Sequence, residues 1–159
     1  MSTIVPPANP EEDPRVKAVF DDIRATRKSD FINNMWLWLA VDPALLERTW
    51  NEVKAVMATP SEIDPVTKEM IYIAVSIANN CAYCIHSHTA AARAKGMSEA
   101  MLGELLAVVG MANETNVLAT TLQVPVDEVF KAVPEGEAPK ANAKKAKKAG
   151  KAKKQGKKR

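Results

Sequence analysis

The sequence lacks the features that define membrane, secreted and disulfide-stabilised proteins. Its longest strongly apolar stretches, Met35 to Val41 and Met70 to Ala78, are far shorter than the roughly 20 residues of a membrane-spanning helix. No basic region followed by an apolar one occurs near the start, so we expect no secretory signal and a cytoplasmic location. Cysteine occurs only at Cys81 and Cys84, and without an export signal such a close pair indicates catalysis or metal binding rather than a structural staple.

Acidic residues are absent from the last part of the chain, and this absence divides its charge. The 22 Lys and Arg and 19 Asp and Glu give a formal net charge of +3. Residues 1–139 contain all 19 acidic residues and 11 of the basic ones, a balance of −8, whereas residues 140–159 contain the other 11 basic residues and no acid, a balance of +11. The latter segment has no apolar side chain larger than alanine, so we expect a disordered tail.

The remaining sequence predicts an all-α fold. Asp13, Asp42 and Asp64 each precede a proline, and each pair combines a good N-cap with a residue that suits the first helical position. Apolar residues follow with helical spacing, which predicts helices from Pro14 to about Lys28 and from Pro43 to Pro60.

Further helices are expected along the rest of the domain. The run from Pro65 to Ala78 is apolar on nearly every side, which predicts a central helix buried all round. Its β-branched residues make a buried strand the alternative, but about 15 residues without a turn residue is long for a strand. Gly96 suits the left-handed stop of the helix after it. The segment from Phe31 to Val41 fits a short helix or a strand by periodicity alone, and we favour the helix because no partner strand is evident. The other predicted helices are one from Cys81 to Lys95, a long one after the N-cap Ser98, and a last short one from Val126 to Ala132.

A chain of 159 residues suits a single globular domain with its own core. The predicted organisation is an N-terminal arm at 1–12, a helical domain at 13–133, a linker at 134–139 and the disordered Lys/Ala-rich tail at 140–159.

The segment from Glu69 to His88 contains the groups best suited to chemistry. Residues 70–92 include no Asp, Glu, Lys or Arg, so these groups border an apolar interior. On a helix that begins at Cys81, Cys81 and Cys84 are at positions i and i+3, and Cys84 and His88 are at positions i and i+4. All three side chains therefore share one face of the helix. The helix N-terminus favours a thiolate, and Glu69 can orient His88 or exchange a proton with it.

Other interpretations of these residues remain open at this stage. Cys81 and Cys84 could be small buried residues, since free cysteine packs like a hydrophobe. Together with His88 and either Glu69 or His86 they could bind zinc, although no second pair of metal ligands accompanies them. Glu69 could also simply cap or pair on a helix surface.

The pattern Glu-x11-Cys-x2-Cys-x3-His, formed by Glu69, Cys81, Cys84 and His88, resembles the core signature of the alkylhydroperoxidase D-like branch of the carboxymuconolactone decarboxylase family. A weaker similarity extends over about residues 20–130 and excludes the tail. The resemblance implies an all-α helical bundle that forms a homo-oligomer, with thiol peroxidase or disulfide reductase activity. We expect an assembly between a dimer and a hexamer, with no cofactor or metal.

The resemblance also implies a role for each residue of the pattern. Cys84 would attack the peroxide of a small-molecule hydroperoxide and become a sulfenic acid, and Cys81 would condense with it to a disulfide that a separate dithiol reductant protein reopens. Glu69 and His88 would form the proton relay that activates the thiol.

Five more residues are candidates for supporting roles. Tyr83 stands where well-studied members of the branch have a histidine, directly before the second cysteine, and His86 is close in sequence but two residues further along the helix. Tyr83 could donate a hydrogen bond into the site, whereas His86 alone is typical of a surface or packing residue. Trp36, Trp38 and Trp50 are expected in the core or in the wall of an apolar substrate cleft.

The basic tail predicts a different class of function. Its 11 cations, spaced by Ala and Gly without aromatic residues, could neutralise the phosphates of DNA or RNA without reading their sequence. A solubility tail, or one that contacts the acidic body of the oligomer, is the alternative. The competing function is therefore a non-enzymatic or zinc-binding stress-response module with sequence-independent nucleic-acid binding.

Overall fold

The computed structural model describes residues 3–131, and every regular element within them is helical, as predicted. The linker and the basic tail lie outside the described residues. No helix of residues 3–131 is long and apolar enough to cross a membrane. The main helices are α1 (Pro14–Arg27), α2 (Asn34–Leu39), α3 (Pro43–Val53) with a π-type turn at Lys54–Ala58, α4 (Pro65–Ala78), α5 (Ala82–Ala94) and α6 (Glu99–Thr121).

The three Asp-Pro pairs begin α1, α3 and α4, as the sequence predicts. One carboxylate oxygen of each aspartate accepts two backbone N–H groups of the first turn, at 2.8 and 3.3 Å for Asp13, 3.0 and 3.1 Å for Asp42 and 3.0 Å twice for Asp64. Each cap is worth about 1 kcal/mol because it satisfies N–H groups that the helix itself leaves unpaired.

The chain divides into two units, with the boundary after Asn113. The first contains α1 to α5 and the beginning of α6, and the second begins within α6. In the described part of the second unit, the predicted helix from Val126 is only a 3-10 turn, Glu128–Phe130. The prediction placed its start too early because Asp127 has extended backbone (ψ 142°).

Helices α1, α2 and α3 enclose the larger apolar core of the first unit. Trp36 of α2 and Trp50 of α3 meet edge to face, with ring centroids 5.4 Å apart and planes at 83°. The indole Nε1 of Trp50 donates to Asp22 Oδ2 at 2.6 Å, which fixes the ring against α1. The buried residues of this core are Val16, Val19, Phe20, Ile23, Trp36, Ala40, Leu46 and Trp50.

Helix α4 packs on α5, and the prediction that it is buried all round is wrong for the single chain. Its inward face buries Glu69, Ile73 and Ser76, whereas Ile71 and Val75 are 50% and 53% exposed. The apolar pattern could not separate the two faces because both carry β-branched residues. Only the face toward α5 and the start of α6 is covered in this unit.

Candidate active site

The site is built around the buried carboxylate of Glu69 on α4. Glu69 is 3% exposed, and its two oxygens have different partners. Oε2 lies 2.6 Å from Nδ1 of His88 on α5, and Oε1 accepts a hydrogen bond of 2.6 Å from Nζ of Lys95, at the C-terminal end of α5. Both oxygens of this carboxylate are therefore engaged by groups from one neighbouring helix.

The charge of Glu69 follows from these contacts. Burial raises the pKa of the Glu69 carboxyl, but the hydrogen bonds from His88 and Lys95, together with the charge of Lys95, outweigh it and leave the pKa below its ordinary value. Glu69 is consequently an anion at neutral pH, and it faces His88 with a full negative charge.

His88 is held on a second side by an aromatic ring. Its imidazole stacks on Tyr72 of α4, with ring centroids 3.5 Å apart and planes at 17°. Because Nδ1 is engaged by Glu69, proton exchange with any other group falls to Nε2. The carboxylate and the stacked ring thus fix both the position and the orientation of the imidazole, an arrangement suited to a general base.

A disulfide joins Cys81 and Cys84 across the start of α5, with their Cα atoms 5.3 Å apart, within the range that such a bond requires. The prediction placed Cys81 in the first turn; it is the N-cap, and its Sγ accepts the backbone N–H of Cys84 at 3.3 Å. Asn80, in the left-handed conformation (φ 55°), makes the turn that separates α4 from α5. Cys84 therefore lies in the first turn, where backbone N–H groups and the helix dipole favour a thiolate.

The zinc interpretation finds no support in this geometry. Within residues 3–131, no group of three or more His, Cys, Asp or Glu side chains is placed to hold a metal ion. Cys81 and Cys84 are bonded to each other, and Nδ1 of His88 faces Glu69.

A cleft of about 590 Å³ opens beside the disulfide, a volume typical of small-molecule sites. Cys84, His88, Glu69 and Tyr72 line it from α4 and α5. Cys81 is outside the lining, so the two sulfur atoms differ in their access to a bound molecule. Helices α1 to α3 supply the rest of the wall, which includes Thr26, Arg27, Asn33, Met35, Trp36, Thr49, Trp50, Val53, Lys54 and Met57.

Three of the five supporting candidates line the cleft, and Trp38 and His86 do not. Tyr83 lines the cleft, and its hydroxyl accepts the backbone N–H of Met35 at 3.2 Å, which ties α5 to α2. Trp36 and Trp50 also line it, whereas Trp38 does not. His86 is exposed on α5 and is not part of the lining.

The carboxymuconolactone decarboxylase family has a sequence model that matches residues 43–127, more than half of the chain. The chain belongs to this family. A solved structure, the alkylhydroperoxidase AhpD core from Rhodospirillum rubrum, is 58% identical in sequence, with a TM-score of 0.80 over 84% of this chain and 99% of the other. No curated protein matches the chain. The resemblance stated from the sequence is thus confirmed, as is the alkylhydroperoxidase D-like helical fold.

Three polar residues of the cleft, Tyr72, Lys95 and Arg27, were not predicted as site residues. Tyr72 and Lys95 had a local signal, because Tyr72 is three residues after Glu69 and Lys95 seven after His88, spacings that keep each pair on one helix face. Arg27 had none, since it reaches the cleft only through the packing of α1 on α3.

Proposed function

We propose that the protein is a thiol peroxidase that reduces hydroperoxides by forming the Cys81–Cys84 disulfide. The observation that carries this proposal is that Cys84 lines the same cleft as His88, whose Nδ1 contacts the buried anion Glu69. Membership of the family and the similarity to an alkylhydroperoxidase core support a peroxidase-related enzyme.

Activation begins in the reduced protein, with both cysteines as thiols. A free thiol with a pKa near 8.5 is only a few per cent thiolate at neutral pH. In the proposed relay, Nε2 of His88 accepts the proton of Cys84, and Glu69 stabilises the imidazolium that forms. Lys95 supports the relay because it helps to keep the carboxylate ionised, so we assign it a positioning role.

The peroxide is reduced in two balanced steps. The Cys84 thiolate attacks the terminal peroxide oxygen, the O–O bond breaks, and the leaving alkoxide takes the proton held on His88 to become an alcohol. Cys84 is then a sulfenic acid. The Cys81 thiol attacks its sulfur, the S–O bond breaks, and water leaves as the disulfide forms.

A dithiol reductant protein would restore the enzyme. Its thiolate attacks the Cys81 sulfur, forms a mixed disulfide and releases the Cys84 thiolate; its second thiol then completes the exchange, so two electrons and two protons enter. Two features favour attack at Cys81. This residue is outside the cleft lining, and Cys84, as the more stabilised thiolate, is the better leaving group.

Thiol titration tests the proposal. The reduced protein should lose both free thiols on addition of one equivalent of cumene hydroperoxide, and Cys84→Ser should abolish this reaction. Thiols that stay unreactive toward peroxide, or native protein that contains stoichiometric zinc, would contradict it.

We further propose a cytoplasmic homo-oligomer. The apolar side chains that the first unit leaves exposed on α4 and α6, including Ile71, Val75, Leu106 and Val108, form a surface that a second copy could cover. Light scattering coupled to size exclusion should give a mass above that of one 17.3 kDa chain; a monomer would exclude this assembly.

Sequence-independent nucleic-acid binding by residues 140–159 stays a prediction, which truncation after Pro139 tests.

A further inference from the structure

Arg27, the last residue of α1, holds its guanidinium over two aromatic rings at the cleft. The guanidinium carbon lies 5.5 Å from the ring centroid of Trp36 and 5.4 Å from that of Trp50, distances at which a cation is attracted to the ring face. Its Nη1 also donates to Oδ1 of Asn33. These contacts fix the guanidinium in the lining of the cleft, and Cys84 and His88 line the same cleft.

Among the residues that the structure describes, the charge of Arg27 has no carboxylate partner, unlike that of the other two cations in the lining. Lys54 contacts the carboxylate of Asp22 at 2.7 Å, and Lys95 contacts that of Glu69 at 2.6 Å. Within residues 3–131, no carboxylate lies within 4.0 Å of Arg27. The cleft therefore contains one positioned cation that a bound anion could neutralise.

The surroundings of Arg27 make it a better anion site than a surface arginine. Partial removal from water lowers the pKa of Arg27, while Tyr83 and Glu69 act in the opposite direction from across the cleft. The guanidinium stays charged in any case. A cation that is partly shielded from water interacts more strongly with an incoming anion than a fully hydrated one does.

We propose that Arg27 is the anion-binding group of the cleft, and that the substrate is an organic hydroperoxide with a carboxylate and an apolar body. The guanidinium presents a planar fork that matches a carboxylate. Met35, Trp36 and Met57 supply apolar surface for the body, and Cys84 lines the same cleft to receive the peroxide. The substrate class rests on the proposed peroxidase function, whereas the anion site does not.

Binding to the full-length protein tests the anion site without any peroxide. Octanoate and its neutral analogue octanol are the probes, measured by calorimetry. Arg27→Gln should weaken octanoate binding about tenfold, as expected for loss of a charge-assisted contact, and Arg27→Lys should restore part of it. Neither substitution should change the affinity for octanol, whereas a general disturbance of the Trp packing would change it.

Arg48→Gln is the matched control, because Arg48 is an exposed arginine on α3 outside the cleft lining. It should bind octanoate like the wild type, and the basic tail contributes equally in every variant. Equal octanoate affinity in the wild type and Arg27→Gln would overturn the anion site.

Single-turnover oxidation of the reduced protein tests the substrate class. A hydroperoxy fatty acid should react about tenfold faster than its methyl ester, and Arg27→Gln should bring this ratio close to one. Equal rates for acid and ester in the wild type would overturn the substrate assignment. A preference for the acid that is seen only in the later reduction of the disulfide by a dithiol would overturn it as well. If neither peroxide oxidises Cys84 while octanoate binding still depends on Arg27, the peroxidase function fails and the anion site stands.

Discussion

Replacement of Glu69 by Gln isolates the charge of the buried carboxylate while keeping its shape. The amide can still accept a hydrogen bond from Lys95, but it no longer presents an anion to Nδ1 of His88, 2.6 Å away. The contact is well shielded, since the Glu69 side chain is 5% exposed and that of His88 is 21% exposed. Loss of the charge should therefore affect both the stability of the fold and the reactivity of Cys84.

The two effects are similar in size. Removal of one partner from a buried pair costs about 3 to 5 kcal/mol, but Lys95 can turn toward water, because its side chain is 35% exposed. We expect a loss of about 2 kcal/mol of unfolding free energy. A carboxylate stabilises a neighbouring imidazolium, here that of His88, by about 1.4 to 2.7 kcal/mol. Without this stabilisation the transfer of the Cys84 proton to His88 is less favourable by the same amount, so the thiolate of Cys84 should become about 10- to 100-fold less populated.

Alkylation measures this population directly. In a Cys81→Ser background, where Cys84 cannot form the disulfide, iodoacetamide should modify Cys84 about 10- to 100-fold more slowly at neutral pH once Glu69 is Gln. Glu99→Gln is the control, because Glu99 pairs with Arg93 on the surface at 2.7 Å and its side chain is 73% exposed. Circular dichroism and urea unfolding establish that the variants remain folded. An unchanged alkylation rate in a folded Glu69→Gln variant would refute the proposed relay.

Three further expectations follow from the same contacts. The pKa of Glu69 is lower in the folded chain than its ordinary value of 4.5, so the stabilisation from its charge is complete above pH 4.5 and is lost as the pH falls through the folded pKa. Urea midpoints of the wild type should therefore fall more steeply in acid than those of Glu69→Gln. Parallel curves would contradict this. His86→Ala should leave Cys84 alkylation unchanged whereas His88→Ala slows it, and equal slowing would assign His86 a role in the relay. Tyr83→Phe should cost about 1 kcal/mol of urea stability through the lost bond to Met35, and an unchanged midpoint would show that this link is not stabilising.

Local chemistry accounts for what the sequence predicted well. The caps at Asp13, Asp42 and Asp64 act within two or three residues, so the starts of three helices followed from the sequence alone. The left-handed residue at Gly96 (φ 104°) likewise ends α5 at the predicted place. These features require no knowledge of tertiary contacts.

Long-range packing accounts for what the sequence did not provide. Residues 69 and 88 are 19 positions apart on different helices, so the residue types suggested that Glu69 could orient His88, but the sequence did not show that the two side chains meet. The anchoring of Glu69 by Lys95 and the arrival of Arg27 beside Trp36 depend on how α4, α5 and α1 pack. The exposed face of α4 also escaped prediction, because an apolar pattern does not reveal which element covers it.

The central claim is that Cys84 is the sulfur that reacts with peroxide in this cleft. Dimedone labelling followed by mass spectrometry tests it in the full-length Cys81→Ser variant after one equivalent of cumene hydroperoxide. We expect a sulfenic acid adduct on Cys84, and none on Cys81 when Cys84→Ser is treated in the same way. No adduct on Cys84, or equal labelling of the two cysteines, would contradict the account.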